Sequence, residues 1–290
     1  MQMNVVRKSI LSGTWYSGDA ISLKEEIRAY EKQCPEADMT FSRIRGIIAP
    51  HAGYIYSGKA AVSAYRHIQS LPYENIIILA PSHSSYFNGI ACSSFHCYET
   101  PFGKIEVNRE YAEKLKDSHS IFTTDIRAEQ QEHSAEIHLP FLQYYLKDFR
   151  IVPLLAGHLS AGDIPNIRRS MDNILTGRDL VIASTDFTHY GYRFGYNPFD
   201  HLKSRTKIRE SINRLDMDHI EHIKGLDYSS FLRLKQETGA TICGYMPVSV
   251  LISLFSGREI KTYLTDYYTS GDITGDYEQA VSYASIIFYE

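Results

Sequence analysis

Four stretches of this chain are short, continuously apolar and rich in branched residues: IRGIIA at 44–49, IIILA at 76–80, RIVPLLA at 150–156 and LVIAS at 180–184. A strand with one wet face alternates apolar and polar residues, whereas a strand covered on both faces does not need to. Helix-like segments separate several of these runs. The one after the first, SGKAAVSAYRHI, places Ala61, Ala64, Tyr65 and Ile68 at helical spacing. Strand, loop, helix and strand in succession mark parallel crossover units. The expected fold is therefore α/β, with a mainly parallel or mixed sheet core flanked by helices.

Near the N-terminus, DAISLKEEIRAYEKQ reads as an amphipathic helix with Asp19 as its N-cap and Pro35 just beyond its end. Toward the C-terminus, KTYLTDYYTSG and VSYASIIFYE read as two further strands around the turn-rich GDITGD. A chain of 290 residues could hold two fused α/β halves, but no Pro/Gly/Ser-rich linker divides it. A single domain over residues 1–290 is the expectation.

Composition excludes several classes of function. Hydrophobic residues make up 43% and charged residues 22%, as in ordinary globular domains, and the net charge of -4 is spread without a basic stripe for a phosphate backbone. Nucleic acid is not an expected partner. No apolar run approaches the roughly 20 residues that span a bilayer, and the start MQMNVVRKSILSGTWYSGD has no long apolar core of a secretory signal. These features predict a cytoplasmic protein without membrane insertion. Cys34, Cys92, Cys97 and Cys243 are too few and too scattered for a disulfide framework.

The polar chemistry gathers where the strands end. IIAPHAGY and IIILAPSHSS both run a buried strand into Ala-Pro and then present a histidine, His51 and His83, and LVIASTDFTHYGY adds Asp186 and His189. In open parallel sheets ligands bind beyond the carboxyl ends of the strands, because the loops converge there. Proline lacks an N–H and cannot continue a central ladder, so Ala-Pro fixes where the histidine emerges. His51, His83, Asp186 and His189 are thus expected to line one cavity at the carboxyl edge. A single histidine after a strand is more often a solvated loop residue; the shared placement of several carries the reading.

EQQEHSAEIHLPFLQYYL reads as a helix or helix start carrying Glu132, His133, Glu136 and His138. Five positions set His133 and His138 roughly 140° apart on a regular helix, so only one would face a common site, whereas His133 and Glu136 would share a face at about 60°. Cys243, in GATICGYMPVSVLISLF, stands just before an apolar helical segment. A buried cysteine is usually a small hydrophobe, but near a helix start it is also a candidate thiolate ligand. Dinucleotide, nucleotide, hydrolase-elbow, zincin and calcium-loop motifs are all missing.

IIAPHAGYIYSG, APSH, EHSAEIHLPF, STDFTHYG and TICGYMPV occur in that order over nearly the whole chain, with GTWY near the N-terminus. Together they resemble the Memo family, whose fold is similar to that of the class III extradiol ring-cleavage dioxygenases. The resemblance implies a metal site at His51, His83 and Cys243, with Asp186 and His189 in the same cavity and His133 near the substrate. Those dioxygenases hold ferrous iron with two histidines and a carboxylate. Here a cysteine takes the third place, and imidazole with thiolate suits iron, copper or zinc. Members of the family are described as copper- or iron-binding redox proteins and, in animals, as signalling partners of phosphorylated receptor peptides.

The leading expectation is an iron- or copper-dependent oxidoreductase with a dioxygenase-like cavity for a phenolic or catechol-like small molecule. In it His189 acts as acid/base, since imidazole exchanges protons near neutral pH, and Asp186 orients His189 or joins the metal. A non-catalytic module that holds a peptide or copper, and a metal-dependent hydrolase, are the alternatives.

Overall fold

The computed structural model describes residues 5–35, 39–69 and 71–290. The first four residues of the segment inspected for a secretory signal lie outside them. Twelve strands occur in the described residues: β1 (Val6–Arg7), β2 (Ile44–Ala49), β3 (Asn75–Pro81), β4 (Ile90–Cys92), β5 (Cys97–Thr100), β6 (Gly103–Glu106), β7 (Phe122–Thr123), β8 (Arg150–Ala156), β9 (Asp179–Ser184), β10 (His189–Tyr190), β11 (Lys261–Thr269) and β12 (Ala280–Tyr289). The four apolar runs are β2, β3, β8 and β9, each within a residue of its expected ends.

These four lie side by side and parallel in the order β2-β9-β3-β8, with Ile47 opposite Ile182, Ile77 opposite Val181 and Leu79 opposite Leu154. Antiparallel strands extend both flanks. β12 pairs with β2 and carries β11 and β10, while β4 pairs antiparallel with β8 and parallel with β7. The sheet is therefore mixed, with a parallel centre. A separate small sheet joins β1, β5 and β6.

Both faces of the centre are covered, which is why its strands do not alternate. Ile47, Ile76, Ile78 and Ile182 face the helices Ala20–Glu31, Tyr54–Tyr65 and Leu139–Tyr145. Ile48, Ile77, Leu79 and Val181 face Ile164–Asp172 and Tyr245–Phe255. The helix Ala20–Glu31 starts as its sequence requires: the Asp19 carboxylate accepts from the N–H groups of Ile21 and Ser22, and Leu23 and Ile27 are buried.

Three local expectations need correction. The helix after β2 begins at Tyr54, earlier than the alanine-rich segment. GDITGD is not only a turn, because Ser270–Thr274 winds into a short helix with a Thr269–Asp272 capping box. The segment bearing His133 is not one helix. The helix Ile126–Gln130 stops, residues 131–135 are irregular, and a 3₁₀ turn Glu136–His138 leads into Leu139–Tyr145. Side chains take over the backbone groups that a helix would have paired: Arg7 donates to the carbonyls of Glu129 and Glu132, and the Glu132 carboxylate accepts from the N–H groups of His133 and Ser134.

Candidate metal centre

Because β2, β3 and β9 are parallel, Ala49, Pro81 and Ser184 end on one edge, and His51, His83 and Asp186 each follow two residues later. The sheet thus delivers three side chains to one place from three distant parts of the chain. Pro50 stops β2, while Pro81 is the last residue of β3, in register with Ala156.

His51 is buried, and its Nδ1 lies 2.7 Å from Ser184 Oγ. That hydroxyl donates its proton to the Ser134 carbonyl at 2.8 Å, so it must accept from the imidazole N–H. The lone pair of His51 is then on Nε2, 3.1 Å from Cys243 Sγ. Burial, followed by the neighbouring His83 and His133, holds His51 well below the ordinary histidine range, so the ring is neutral and available as a ligand.

Glu132 does the same for His83. Its two oxygens accept from the N–H groups of His83, Ser84, His133 and Ser134, from Ser84 Oγ, and from His83 Nδ1 at 3.1 Å. Burial pushes this carboxyl up, but the hydrogen bonds and charge of His83 and the backbone N–H groups outweigh it and hold it down to about 2. A carboxylate cannot donate, so His83 Nδ1 carries the proton and Nε2 carries the lone pair. Glu132, His83 and His133 also cluster within 4.8 Å. With six donors already on Glu132, that carboxylate is an orienting group and not the better ligand.

Cys243 stands two residues before the helix Tyr245–Phe255. Its sulfur accepts from the Asp186 N–H at 3.2 Å. A Cβ on Gly244 would fall 2.1 Å from the Ser184 carbonyl oxygen, so glycine alone lets this backbone pass close enough to bring the thiol to His51. Burial and the Asp186 carboxylate push the thiol up, and a cation between the donors would reverse that preference. One donor atom from each of His51, His83 and Cys243 lies within 4.8 Å of the others. Two oriented imidazoles and a thiol fit iron, copper or zinc by donor chemistry.

His189 N–H donates to Thr241 Oγ1, and its Nδ1 faces the carbonyls of Phe187 and Thr241, both at 2.9 Å. Nδ1 therefore carries the proton and Nε2 is the basic nitrogen. Asp186 makes no hydrogen bond to this ring and meets His189 through charge. Its Oδ1 accepts from the backbone N–H of His51 at 2.8 Å, and burial pushes it up against the opposing effect of His189. His133 does face the site, stacked on His83 with ring centroids 4.7 Å apart, and burial holds it down to about 4. Glu136 does not share its face, being turned to Arg7, and His138 is buried against Tyr65 Oη.

His51, His83, Asp186 and His189, the four strand-end residues, line one cavity of about 490 Å³, and His133 joins them from its own segment. Its outer wall adds Trp15, Ile55, Tyr56, Arg193 and Phe194. Reasoning from sequence gave no role to Ser184, Glu132, Trp15, Arg193 or Thr241. The polar runs AST and EHS held the first two, but only the three-dimensional register shows which hydroxyl and which carboxylate meet a ring.

The sequence profile of Memo-like protein matches residues 7–287. The chain belongs to the Memo-like family. A MEMO1 family protein of Methanothermobacter thermautotrophicus is 35% identical over 296 residues, covering 97% of this chain and 100% of that one. The MEMO1 protein of Rattus norvegicus is 30% identical over 291 residues, covering 97% and 96%. Among solved structures, an uncharacterised protein of Escherichia coli K12 superposes with a TM-score of 0.51 at 14% identity, over 84% of this chain and 99% of that one. That likeness concerns the fold. Within this Memo-like chain, no helix of the described residues is long and apolar enough to cross a membrane.

Proposed function

We propose that this Memo-like protein binds iron or copper through His51, His83 and Cys243 and acts as an oxidoreductase on a phenolic or catechol-like molecule in the cytoplasm. The observation that carries the reading is the state of the two imidazoles: both Nδ1 atoms are engaged by protein acceptors, so both rings offer a lone pair toward the same thiol. A bound iron or copper ion would supply redox chemistry with oxygen. The chain's own residues account for the rest. His189 Nε2 accepts the proton of a phenol, and the two carbonyls on Nδ1 stabilise the imidazolium that results. Trp15, Tyr56 and Phe194 give a flat molecule aromatic walls, and neutral His133 closes one side against water.

The test is oxygen consumption by protein loaded anaerobically with ferrous iron, across a panel of catechols and phenols. Uptake is expected with some member, and His189→Ala should lose turnover while keeping its iron. Full iron occupancy with no uptake across the panel would favour a second reading, a protein that holds copper or a peptide without turnover. The thiol supports the copper form of that reading, because sulfur prefers the soft cuprous ion.

A further inference from the structure

The cavity is roofed by a segment outside the main sheet. Residues 9–16 form a tight turn in which Thr14 N and Trp15 N donate to the Leu11 carbonyl and Gly13 N donates to the Tyr16 carbonyl. The turn reaches the site through Trp15, whose carbonyl accepts from Tyr54 N at 2.8 Å and whose indole lies 4.8 Å from the His133 ring, centroid to centroid. One carboxylate holds the turn. Glu136, fully buried, accepts from Ser9 Oγ at 2.6 Å, from Tyr16 Oη at 2.9 Å, from the N–H groups of Ile10 and Leu11, and from the guanidinium of Arg7. Arg7 is itself buried, and its other donors go to the carbonyls of Glu129 and Glu132. The guanidinium that neutralises Glu136 therefore also grips the irregular backbone bearing Glu132 and His133.

We infer that Arg7 and Glu136 are a positioning pair that ties the Trp15 roof to the Glu132–His133 backbone, so that cavity closure and the orientation of His83 are set together. Neither residue lines the cavity. A buried ion pair adds little stability over apolar side chains of the same size, but where every donor and acceptor is satisfied it fixes one arrangement of the parts it joins. Here the parts are a roof and a ligand support. The consequence for His83 rests on the metal reading above; the consequence for Trp15 does not.

Trp15 is the sole tryptophan of the chain, so its emission reports the roof directly. The measurements are acrylamide quenching of the metal-free protein and titration with cobalt(II), followed by thiolate-to-cobalt absorption. Glu136→Gln keeps the shape and removes the charge. Tyr16→Phe removes one donor to Glu136, while Tyr73→Phe removes a buried phenol bond to the Ile44 carbonyl at the opposite edge of the sheet. Trp15 is 38% exposed in the parent, so Glu136→Gln should raise its quenching above the parent's level and weaken cobalt binding by about 10-fold, the lower end of effects from groups that orient ligands. Tyr16→Phe should do both in smaller measure, and Tyr73→Phe should do neither at a similar loss of melting temperature. Should Glu136→Gln fail to fold, the two tyrosine variants decide the matter. Quenching and cobalt affinity that match between Tyr16→Phe and Tyr73→Phe overturn the inference, as does a loosened Trp15 with unaltered cobalt affinity. A parent protein that takes up no cobalt sinks the metal reading instead, and quenching alone then judges the roof.

Discussion

Removing a single oxygen, in Ser184→Ala, tests how His51 is presented. Ser184 Oγ lies 2.7 Å from His51 Nδ1 and donates to the Ser134 carbonyl at 2.8 Å, and all three residues are buried. The variant leaves an imidazole N–H and a carbonyl without partners, each worth about 1–3 kcal/mol if nothing replaces the bond. Loss of the buried hydroxyl's own desolvation offsets part of this, so the metal-free fold should lose about 2 kcal/mol. The ring is also released to turn or to change tautomer. Zinc affinity should then fall about 10–100-fold, the range found for groups that orient a ligand, which corresponds to about 1.4–2.7 kcal/mol. The assay is competition for zinc against a chromophoric chelator under reducing conditions, with a thermal melt of each metal-free form. Ser63→Ala is the control: its hydroxyl donates to the Ala60 carbonyl within a helix, so it should lower the melting temperature and leave zinc binding alone. If Ser184→Ala binds zinc as tightly as the parent, His51 Nε2 is not a ligand set by this bridge and the site has been misassigned.

Cys243→Ser should lose at least about 10–100-fold in metal affinity, with little change in the metal-free melt, while Cys92→Ser, buried beside Leu154 in the other core layer, should leave affinity unchanged; equal affinities for Cys243→Ser and the parent would make the thiol structural. Acid should weaken the metal-free fold through His138. Burial holds this ring down to about 3 from 6.5, so only the unfolded chain takes its proton between those values. The His138 contribution is therefore whole above 6.5 and is lost as pH falls toward about 3. Its size is up to a few kcal/mol, and His138→Gln should flatten the decline in urea melts across that range. An identical decline in the variant removes His138 from the account.

The parallel centre was legible because burial on both faces leaves an unbroken apolar signature, seen in Ile76, Ile77 and Ile78, which feed both core layers. Once the strands were placed, His51, His83, Asp186 and His189 followed from the geometry of strand ends. Cys243 was different: its place before a helix start made it no more than a candidate, and likeness to a family raised it above a core cysteine. Residues 131–135 were misread because their conformation is held by Arg7, far away in sequence, and hydrophobic periodicity carries no trace of such a partner. The same limit hid Ser184 and Trp15, whose roles depend on which backbone lies opposite. Of the antiparallel flanks, β11 and β12 were recognisable as strands while β4 and β10 were not, and nothing in the pattern of β12 says that it docks on β2.

The defining contacts of the candidate site span long stretches of chain: 49 residues between His83 and Glu132, 135 between His51 and Asp186, and 192 between His51 and Cys243. Each contact of such high order must close a large loop before it is rewarded. A partly folded molecule can bury much of its core and still have no place for an ion. A metal taken at these three residues therefore selects finished molecules over all others, and by mass action adds about 2.7 kcal/mol to global stability at a free concentration 100 times its dissociation constant. Uptake of the ion would count the molecules that have completed their topology.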